Sequence, residues 1–118
     1  MKNKDKIIFT KDMTITDIVA IILRESVDNN ASLIETVKEG ANFNVNYMIG
    51  GFVKTFAVIP SEIYKDVVSH VKILASLSSS QINKQDGDFK AKIHDKDTKF
   101  DVTTLSDNDF EKIIIKLS

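Results

Sequence analysis

The stretch from Ser61 to Phe89 limits the possible folds of this chain more than any other. Apolar residues recur in its first half at three- and four-residue steps, as in a surface helix with one buried face. These apolar residues are Ile63, Tyr64, Val67, Val68, Val71, Leu74 and Ala75. The pattern predicts a helix that Ser61 caps, that ends near Leu77, and in which Leu74 faces the core and Lys72 the solvent.

The segments before this helix predict one helix and three strands. Thr14 and Asp17 resemble a capping pair that begins a helix, and Asp28-Asn29-Asn30 ends it. A short strand over 32–37 and a turn over 38–41 precede a stretch, 43–49, in which apolar and polar residues alternate strictly. Gly50-Gly51 predicts a two-residue antiparallel hairpin between this strand and the next, 52–59.

The segments after the central helix predict three more strands. Gln85-Asp86-Gly87 reads as a turn that leads into a strand over 89–93, and a polar turn over 94–97 leads into a strand over 100–104. A loop over 105–109 and a β-branched last strand over 110–117 complete the chain. The expected fold is α+β, with two main helices packed on a mainly antiparallel sheet of about six strands.

Composition limits the classes of function. The 118 residues fit one domain, with residues 1–6 as a frayed terminus and 7–9 as a short strand or a packed arm. A formal charge of -1 argues against general attraction to nucleic acid, and the absence of cysteine excludes disulfides and thiolate chemistry. No apolar run approaches the length of a membrane span and the polar start lacks a signal-peptide pattern, so we expect a cytoplasmic protein.

Five segments in order resemble the PAS-like N-terminal domain of the type II secretion and type IV pilus assembly ATPases. Residues 70–77, HVKILASL, resemble the family's RIKILAxL, and Gln85-Asp86-Gly87 resembles PQDGR. Residues 105–117 resemble the last part of RVSTLPTxxGEKxVIRLL. Earlier, residues 31–34 resemble the start of ASDIHIE, and residues 45–52, VNYMIGGF, resemble VRYRIDGVL. The resemblance covers the chain from about Thr14 to its end.

The chain departs from this family at the family's arginines. In the family, arginines of the RYRIDG, PQDGR and RVST segments help to hold nucleotide against a motor domain. The matching positions here are Asn46, Met48, Asp88 and Asp101. Two unit charges about 4 Å apart interact by roughly 4 kcal/mol at an effective dielectric constant of about 20, so an aspartate in place of an arginine turns attraction to phosphate into repulsion.

The resemblance therefore implies a non-catalytic assembly domain that packs on a RecA-like motor domain in cis or in trans. No GxxxxGK[ST] motif occurs, so we expect no cofactor in this chain, and ATP with magnesium only where a motor domain is attached. The resemblance also implies a hexamer in the full-length protein and contact with inner-membrane platform components. We expect no nucleic acid among its partners. The candidate interaction residues are Asp86, Gly87, Glu111 and Lys112.

Other chemistry has weaker support in the sequence. His70 and His94 lack a cluster of ligands, and His94 with Asp95 and Asp97 is typical of a polar hairpin tip rather than a metal site. Asp107-Asn108-Asp109 lacks the length of a calcium loop, so we expect no metal site. Two alternatives remain open: a stand-alone PAS-like sensor or protein-interaction domain, and, third, a small acid/base enzyme that uses Asp86 or Asp88.

Overall fold

A computed structural model of the chain describes residues 6–118. This part of the chain forms two helices and one seven-stranded sheet, which confirms the α+β class. The elements in chain order are β1 (Ile7–Ile8), α1 (Ile15–Asp28), β2 (Leu33–Glu39), β3 (Asn42–Ile49), β4 (Phe52–Pro60), α2 (Ser61–Leu74), β5 (Lys84–Ile93), β6 (Lys96–Asp107) and β7 (Phe110–Leu117). The terminus predicted to fray lies almost entirely outside the described residues, since only Lys6 belongs to them, and its side chain is exposed.

The sheet has the strand order β1-β4-β3-β2-β7-β6-β5. It consists of two antiparallel meanders, β2-β3-β4 and β5-β6-β7, which join where β2 pairs with β7. The short strand β1 pairs in parallel with β4, which raises the number of strands to seven instead of the expected six or so. Phe9, directly after β1, is fully buried, so this segment is both a strand and a packed arm.

Helix α1 begins and ends as the sequence predicts. The backbone N–H of Asp17 donates to Thr14 Oγ1 at 3.1 Å, which is the predicted cap. After the helix, Asn30 adopts a φ of 58°, a left-handed conformation that asparagine tolerates better than most residues. The polar stretch after the helix therefore ends it, in agreement with the prediction.

Helix α2 is shorter than predicted at its carboxyl end, and Ser61 does not cap it. Pro60, in an extended conformation, occupies the cap position without a side-chain bond, and Ser61 is already the first helical residue. At the other end Ser76 adopts a φ of 59°, and the N–H of Leu77 returns to the carbonyl of Lys72 at 2.8 Å. This backbone bond ends the helix at Leu74 instead of near Leu77.

The predicted orientation of α2 is wrong at two residues. Lys72 is 2% exposed, although a lysine was expected at the surface, and Leu74, expected in the core, is 37% exposed. Tyr64, Val68 and Lys72 lie four residues apart, so helical geometry places Lys72 on the same face as two buried residues. The spacing decides the face here, and the polar character of lysine does not.

The hairpin predicted at Gly50-Gly51 is confirmed. Gly50 and Gly51 have φ angles of 57° and 85°, which glycine reaches without steric cost, and they connect the antiparallel strands β3 and β4. Tyr47 is buried as expected and stacks on Phe56 with ring centroids 4.7 Å apart. Phe52 does not pack in the same way, because it is 79% exposed at the end of the hairpin.

Strands β5 and β6 are longer than predicted, and two predicted irregular segments lie within them. Gln85-Asp86-Gly87 is not a turn but the first part of β5, where Gly87 lies opposite Val102. The predicted loop over 105–109 is mostly strand, since β6 continues to Asp107 and the turn contains only residues 108 and 109. The turn predicted over 94–97 contains only residues 94 and 95. Continuous pairing between β5 and β6 overrides the turn preference of these polar residues.

Both helices cover the same face of the sheet. A cavity of about 20 Å³ remains between them and the sheet, lined by side chains of α1, α2 and four strands. The strands direct alternate residues to this face, among them Ile34, Val45, Ile59, Ile113 and Ile115. The other face of the sheet, called the uncovered face below, has no helix on it within the described residues.

Candidate functional site

The uncovered face contains the residues that alternate with the buried ones. Several of its apolar members are half-buried and lie near the middle of the sheet, namely Leu33, Val37, Met48 and Ile114, whereas Val53, opposite Met48, is exposed. Charged residues surround them, mainly on β5, β6 and β7. A sheet face with apolar residues inside a charged border is typical of a surface that contacts another protein.

The strand register brings three of the four positions that replace family arginines into one row. Met48 lies opposite Leu33, and Leu33 lies opposite Lys116 on its other side. Lys116 lies opposite Asp101, and Asp101 lies opposite Asp88. Since neighbouring strands are about 4.8 Å apart, this row crosses roughly 19 Å of the face.

The fourth position lies in the neighbouring row. Asn46 is opposite Glu35, which is opposite Ile114 of β7. The row continues through Thr103 of β6 to Asp86 of β5. Residues that are far apart in the sequence, and that the resemblance alone connects, therefore share one continuous surface.

The aspartates at two of these positions interact with a lysine. Asp88 and Asp101 are direct cross-strand neighbours, an unfavourable arrangement for two negative charges. Lys99 Nζ lies 3.4 Å from Asp88 Oδ2 and 3.7 Å from Asp101 Oδ1. All three side chains are about half exposed, so each pair contributes only about 0–1 kcal/mol to stability. The cluster sets the local charge of the face more than it stabilises the fold.

Two of the four candidate interaction residues lie on the uncovered face. Lys112 Nζ is 3.2 Å from Glu35 Oε2, near the centre of the sheet. Asp86 accepts a hydrogen bond of 2.6 Å from the hydroxyl of Thr103 and lies 3.9 Å from Lys84 Nζ. Asp86 and Asp88 are both more than half exposed, and each lies within ion-pair distance of a lysine, as is common for carboxylates at a protein surface.

The other two candidate residues, Gly87 and Glu111, lie on the covered side and pack inside the protein. A Cβ atom at Gly87 would lie 2.6 Å from the carbonyl oxygen of Ala75 and 2.8 Å from Leu77 Cδ2. Glycine is therefore required where β5 passes under the chain that follows α2. This residue lets two segments approach closely.

Glu111 forms an ion pair with Lys72 in the interior. Lys72 Nζ lies 2.6 Å from Glu111 Oε1 and donates a second bond of 3.0 Å to the carbonyl of Ser80. The side chains are 3% and 10% exposed, and Glu111 Oε2 has no hydrogen-bond partner within the described residues. This pair connects α2, the segment after it and the start of β7.

A second buried polar network lies next to this ion pair. The hydroxyl of Tyr64 donates to the carbonyl of Glu111 at 2.5 Å, and lies 2.8 Å from Thr36 Oγ1, which itself accepts from the N–H of Ile113 at 3.0 Å. Since the tyrosine donates to the carbonyl, the threonine donates to the tyrosine. Burial, with the nearby Glu111 charge, raises the pKa of Tyr64, although the bond from Thr36 lowers it.

Two open grooves border the helices. The first, of about 270 Å³, is lined by aromatic residues and by Lys38 and Lys65 near the start of α2. The second, of about 350 Å³, lies between α1, α2 and β5. Both are at the surface, whereas the cavity inside the core, about 20 Å³, has room for about one water molecule.

The two histidines lie in different parts of the structure. Among residues 6–118 no group of three or more metal-ligating side chains occurs. His94 Nε2 lies 2.8 Å from Asp28 Oδ1, so the hairpin tip contacts the end of α1. His70 is half-buried on α2, in the second groove. Asn108 adopts a φ of 57° and, with Asp109, forms the turn between β6 and β7.

The sequence did not predict the ion pairs of two lysines, Lys72 and Lys99. The polar character of Lys72 predicts a surface position, although its four-residue spacing from Tyr64 and Val68 indicates the buried face. Lys99, which binds both aspartates, gave no sequence signal because its role depends on the register between β5 and β6.

Compared with protein-family models and with curated proteins, the chain matches no family model and has no significant curated match. Within residues 6–118, neither helix has the length and apolar character that crossing a membrane requires. The function must therefore be argued from the residues and their arrangement.

Proposed function

We propose that this chain is a PAS-like, non-catalytic assembly domain of a type II secretion or type IV pilus assembly ATPase. In this proposal its uncovered face packs on a RecA-like motor domain, in cis or in trans. One observation carries the proposal. The four positions that match family arginines, Asn46, Met48, Asp88 and Asp101, lie in two adjacent rows of a single exposed surface.

The chemistry of this surface favours protein contact over nucleotide contact. A phosphate needs a concentrated positive field, but Asp88 and Asp101 are adjacent and share Lys99. Half-buried apolar residues such as Met48 and Ile114 offer area that a partner would bury. The domain would pass on movement of the motor as a packed body, and ATP with magnesium would bind in the motor domain. The hexamer and the inner-membrane platform belong to the same proposal.

The proposal is tested by binding between this chain and a RecA-like motor domain from the same organism. Asp101→Lys should weaken binding by about tenfold, because it reverses a charge inside the contact surface. Asp66→Lys is the matched control, since Asp66 is exposed on α2 and faces away from the sheet. Titration calorimetry of this chain alone with ATP and magnesium should show no binding at millimolar nucleotide. Equal effects of the two variants, or tight ATP binding, would contradict the proposal.

A second candidate function is a stand-alone sensor or protein-interaction domain. The groove of about 270 Å³ favours it, because Phe43, Tyr64 and Phe110 offer aromatic surface beside two lysines. A ligand there would contact Glu111, whose ion pair reaches the interior. No binding to any motor domain, together with a small molecule that protects Phe110 from chemical labelling, would favour this candidate over the first.

A further inference from the structure

Strand β5 leaves half of its outer edge uncovered. It is the last strand of the sheet and pairs only with β6. Its first part is covered by the chain after α2, since Gln85 Nε2 donates to the carbonyl of Ser78 at 3.0 Å and Gly87 touches Ala75. No such contact covers residues 88–93 among the described residues. Every second residue there directs its backbone N–H and C=O outward, where another strand can pair with them.

The groove of about 350 Å³ runs beside this free edge. Helices α1 and α2 form its other walls. Its apolar lining consists of Val19, Ala20, Leu23, Leu74, Phe89, Ala91 and Ile93. The three β5 residues in this set, Phe89, Ala91 and Ile93, are only half-buried. A strand added next to β5 would direct every second side chain into this groove.

The ionisable residues along the groove are all of the basic types. Arg24, His70 and His94 lie beside it, and Lys90 and Lys92 border it from the opposite face of β5, since they alternate with Phe89, Ala91 and Ile93. His94 contacts Asp28 and Lys92 lies 3.5 Å from Asp97, but within residues 6–118 no carboxylate lies within ion-pair distance of Lys90. The direct cross-strand neighbour of Lys90 is Lys99, another lysine. Lys99 already lies near Asp88 and Asp101, so Lys90 is the lysine of this pair that a negative charge on the open side could approach.

From the free edge, the groove and the lysines together, we infer that the outer edge of β5 accepts a β-strand from a partner protein whose residues alternate between apolar and acidic. Its apolar side chains enter the groove beside Phe89, Ala91 and Ile93. Its acidic side chains lie on the opposite face, beside Lys90 and Lys92. Backbone bonds supply the pairing, and the alternation supplies the specificity.

A second copy of this chain fits the edge less well. Within the free residues 88–93, an antiparallel copy would place Lys90 beside either Lys90 or Lys92 of the other chain, so like charges would meet there, although the register centred on Lys90 would also place Lys92 beside Asp88. The inference does not depend on the proposed function, because β5 presents its edge and the motor domain would contact the uncovered face. Asp101→Lys, the variant that tests the proposed function, adds positive charge beside Lys99 and should therefore not weaken binding of an acidic strand at the edge.

The test uses a synthetic peptide of alternating valine and glutamate, titrated into the full chain and followed by fluorescence anisotropy. The variant Lys90→Glu/Lys92→Glu should bind the valine-glutamate peptide more weakly, by about tenfold or more. The same variant should bind the corresponding valine-lysine peptide better than the natural chain does. Lys54→Glu/Lys65→Glu makes the same change of charge at exposed sites outside the groove and should not alter binding. Peptide with N-methyl groups at alternate backbone nitrogens should not bind, because it cannot pair with the edge.

Several results would overturn the inference. One is equal binding of the valine-glutamate peptide to the two double variants. Another is that the N-methylated peptide binds as tightly as its unmethylated parent. If the fatty acid laurate also binds in that case, the groove accepts apolar anions and not a strand. A third is a dimer of the natural chain, detected by sedimentation, that Lys90→Glu/Lys92→Glu dissociates, since the edge would then serve a second copy.

Discussion

The two faces of the sheet contain similar ion pairs in different surroundings. On the covered face Lys72 and Glu111 are 2.6 Å apart, and their side chains are 3% and 10% exposed. On the uncovered face Lys112 and Glu35 are 3.2 Å apart, and their side chains are 34% and 28% exposed. Breaking a buried pair leaves a charge without water, whereas breaking an exposed one does not. The same chemistry thus fixes the structure on one face and remains available for contacts on the other.

The largest expected effect separates these two pairs. Lys72→Ala should lower the free energy of unfolding by about 3–5 kcal/mol, because it leaves the Glu111 carboxylate buried and unpaired. Lys112→Ala should lower it by at most about 1 kcal/mol. Urea denaturation of both variants measures the difference. The double variant Lys72→Met/Glu111→Leu should regain most of the loss, and equal losses for the two single lysine variants would contradict the comparison.

The second effect compares neighbouring residues on opposite faces of β5. Gly87→Ala places a Cβ 2.6 Å from a backbone oxygen, so we expect a loss of about 1–3 kcal/mol as the chain after α2 shifts. Asp88→Ala, one residue further and on the uncovered face, should change stability by less than about 0.5 kcal/mol. Thermal denaturation of both variants tests this. A tolerated alanine at Gly87 would show that the two segments do not approach so closely.

The third effect concerns alkaline pH and arises only on the covered face. Burial raises the pKa of Tyr47, with smaller contributions from Glu25 and Asp28, and burial also raises the pKa of Tyr64. An unfolded tyrosine ionises near pH 10, so above about pH 10 the unfolded state loses protons that the folded state keeps. Stability from these groups is therefore complete below about pH 9 and falls by about 1.4 kcal/mol per pH unit per tyrosine above about pH 10.

Denaturation of the natural chain and of Tyr47→Phe/Tyr64→Phe between about pH 8 and pH 11 isolates this effect from lysine titration. The natural chain should lose stability more steeply than the variant. Parallel curves would show that the two hydroxyl groups are not protected by the fold.

The smallest effect tests how α2 lies on the sheet. Leu74→Ala should cost only about 1 kcal/mol, less than the 2–5 kcal/mol typical of a core leucine, because Leu74 is 37% exposed. Val71→Ala removes a smaller side chain but should cost more, roughly 2 kcal/mol, since Val71 is 4% exposed. The opposite order of the two losses would mean that α2 is rotated on the sheet.

The sequence predicted local features more accurately than long-range ones. The cap at Thr14 and the hairpin at Gly50-Gly51 depend on a few adjacent residues, and both are confirmed. Gln85-Asp86-Gly87 has the composition of a turn, but pairing with β6 makes it a strand, and the close approach of Ala75 explains its glycine. Helix periodicity indicates that Lys72 lies on the buried face, but its partner Glu111 is thirty-nine residues further along the chain, so the ion pair could not be inferred from local sequence.

The candidate site shows the same limit. The family resemblance identified Asn46, Met48, Asp88 and Asp101, but nothing local in the sequence indicates that they share a face. That depends on the junction between β2 and β7, which sets the register between the two meanders. Once the junction is known, alternation along each strand assigns every side chain to one face or the other.

The position of β7 has a consequence for how the protein forms. It is the last strand in chain order, yet it lies in the middle of the sheet between β2 and β6. Until it is synthesised, the first meander and the β5-β6 hairpin have no backbone pairing with each other, and each exposes an edge. Closing them requires Leu33 to meet Lys116 across most of the chain, a non-local contact of the kind that slows folding. We therefore expect the two parts to form early and separately, with their union as the late and slow event.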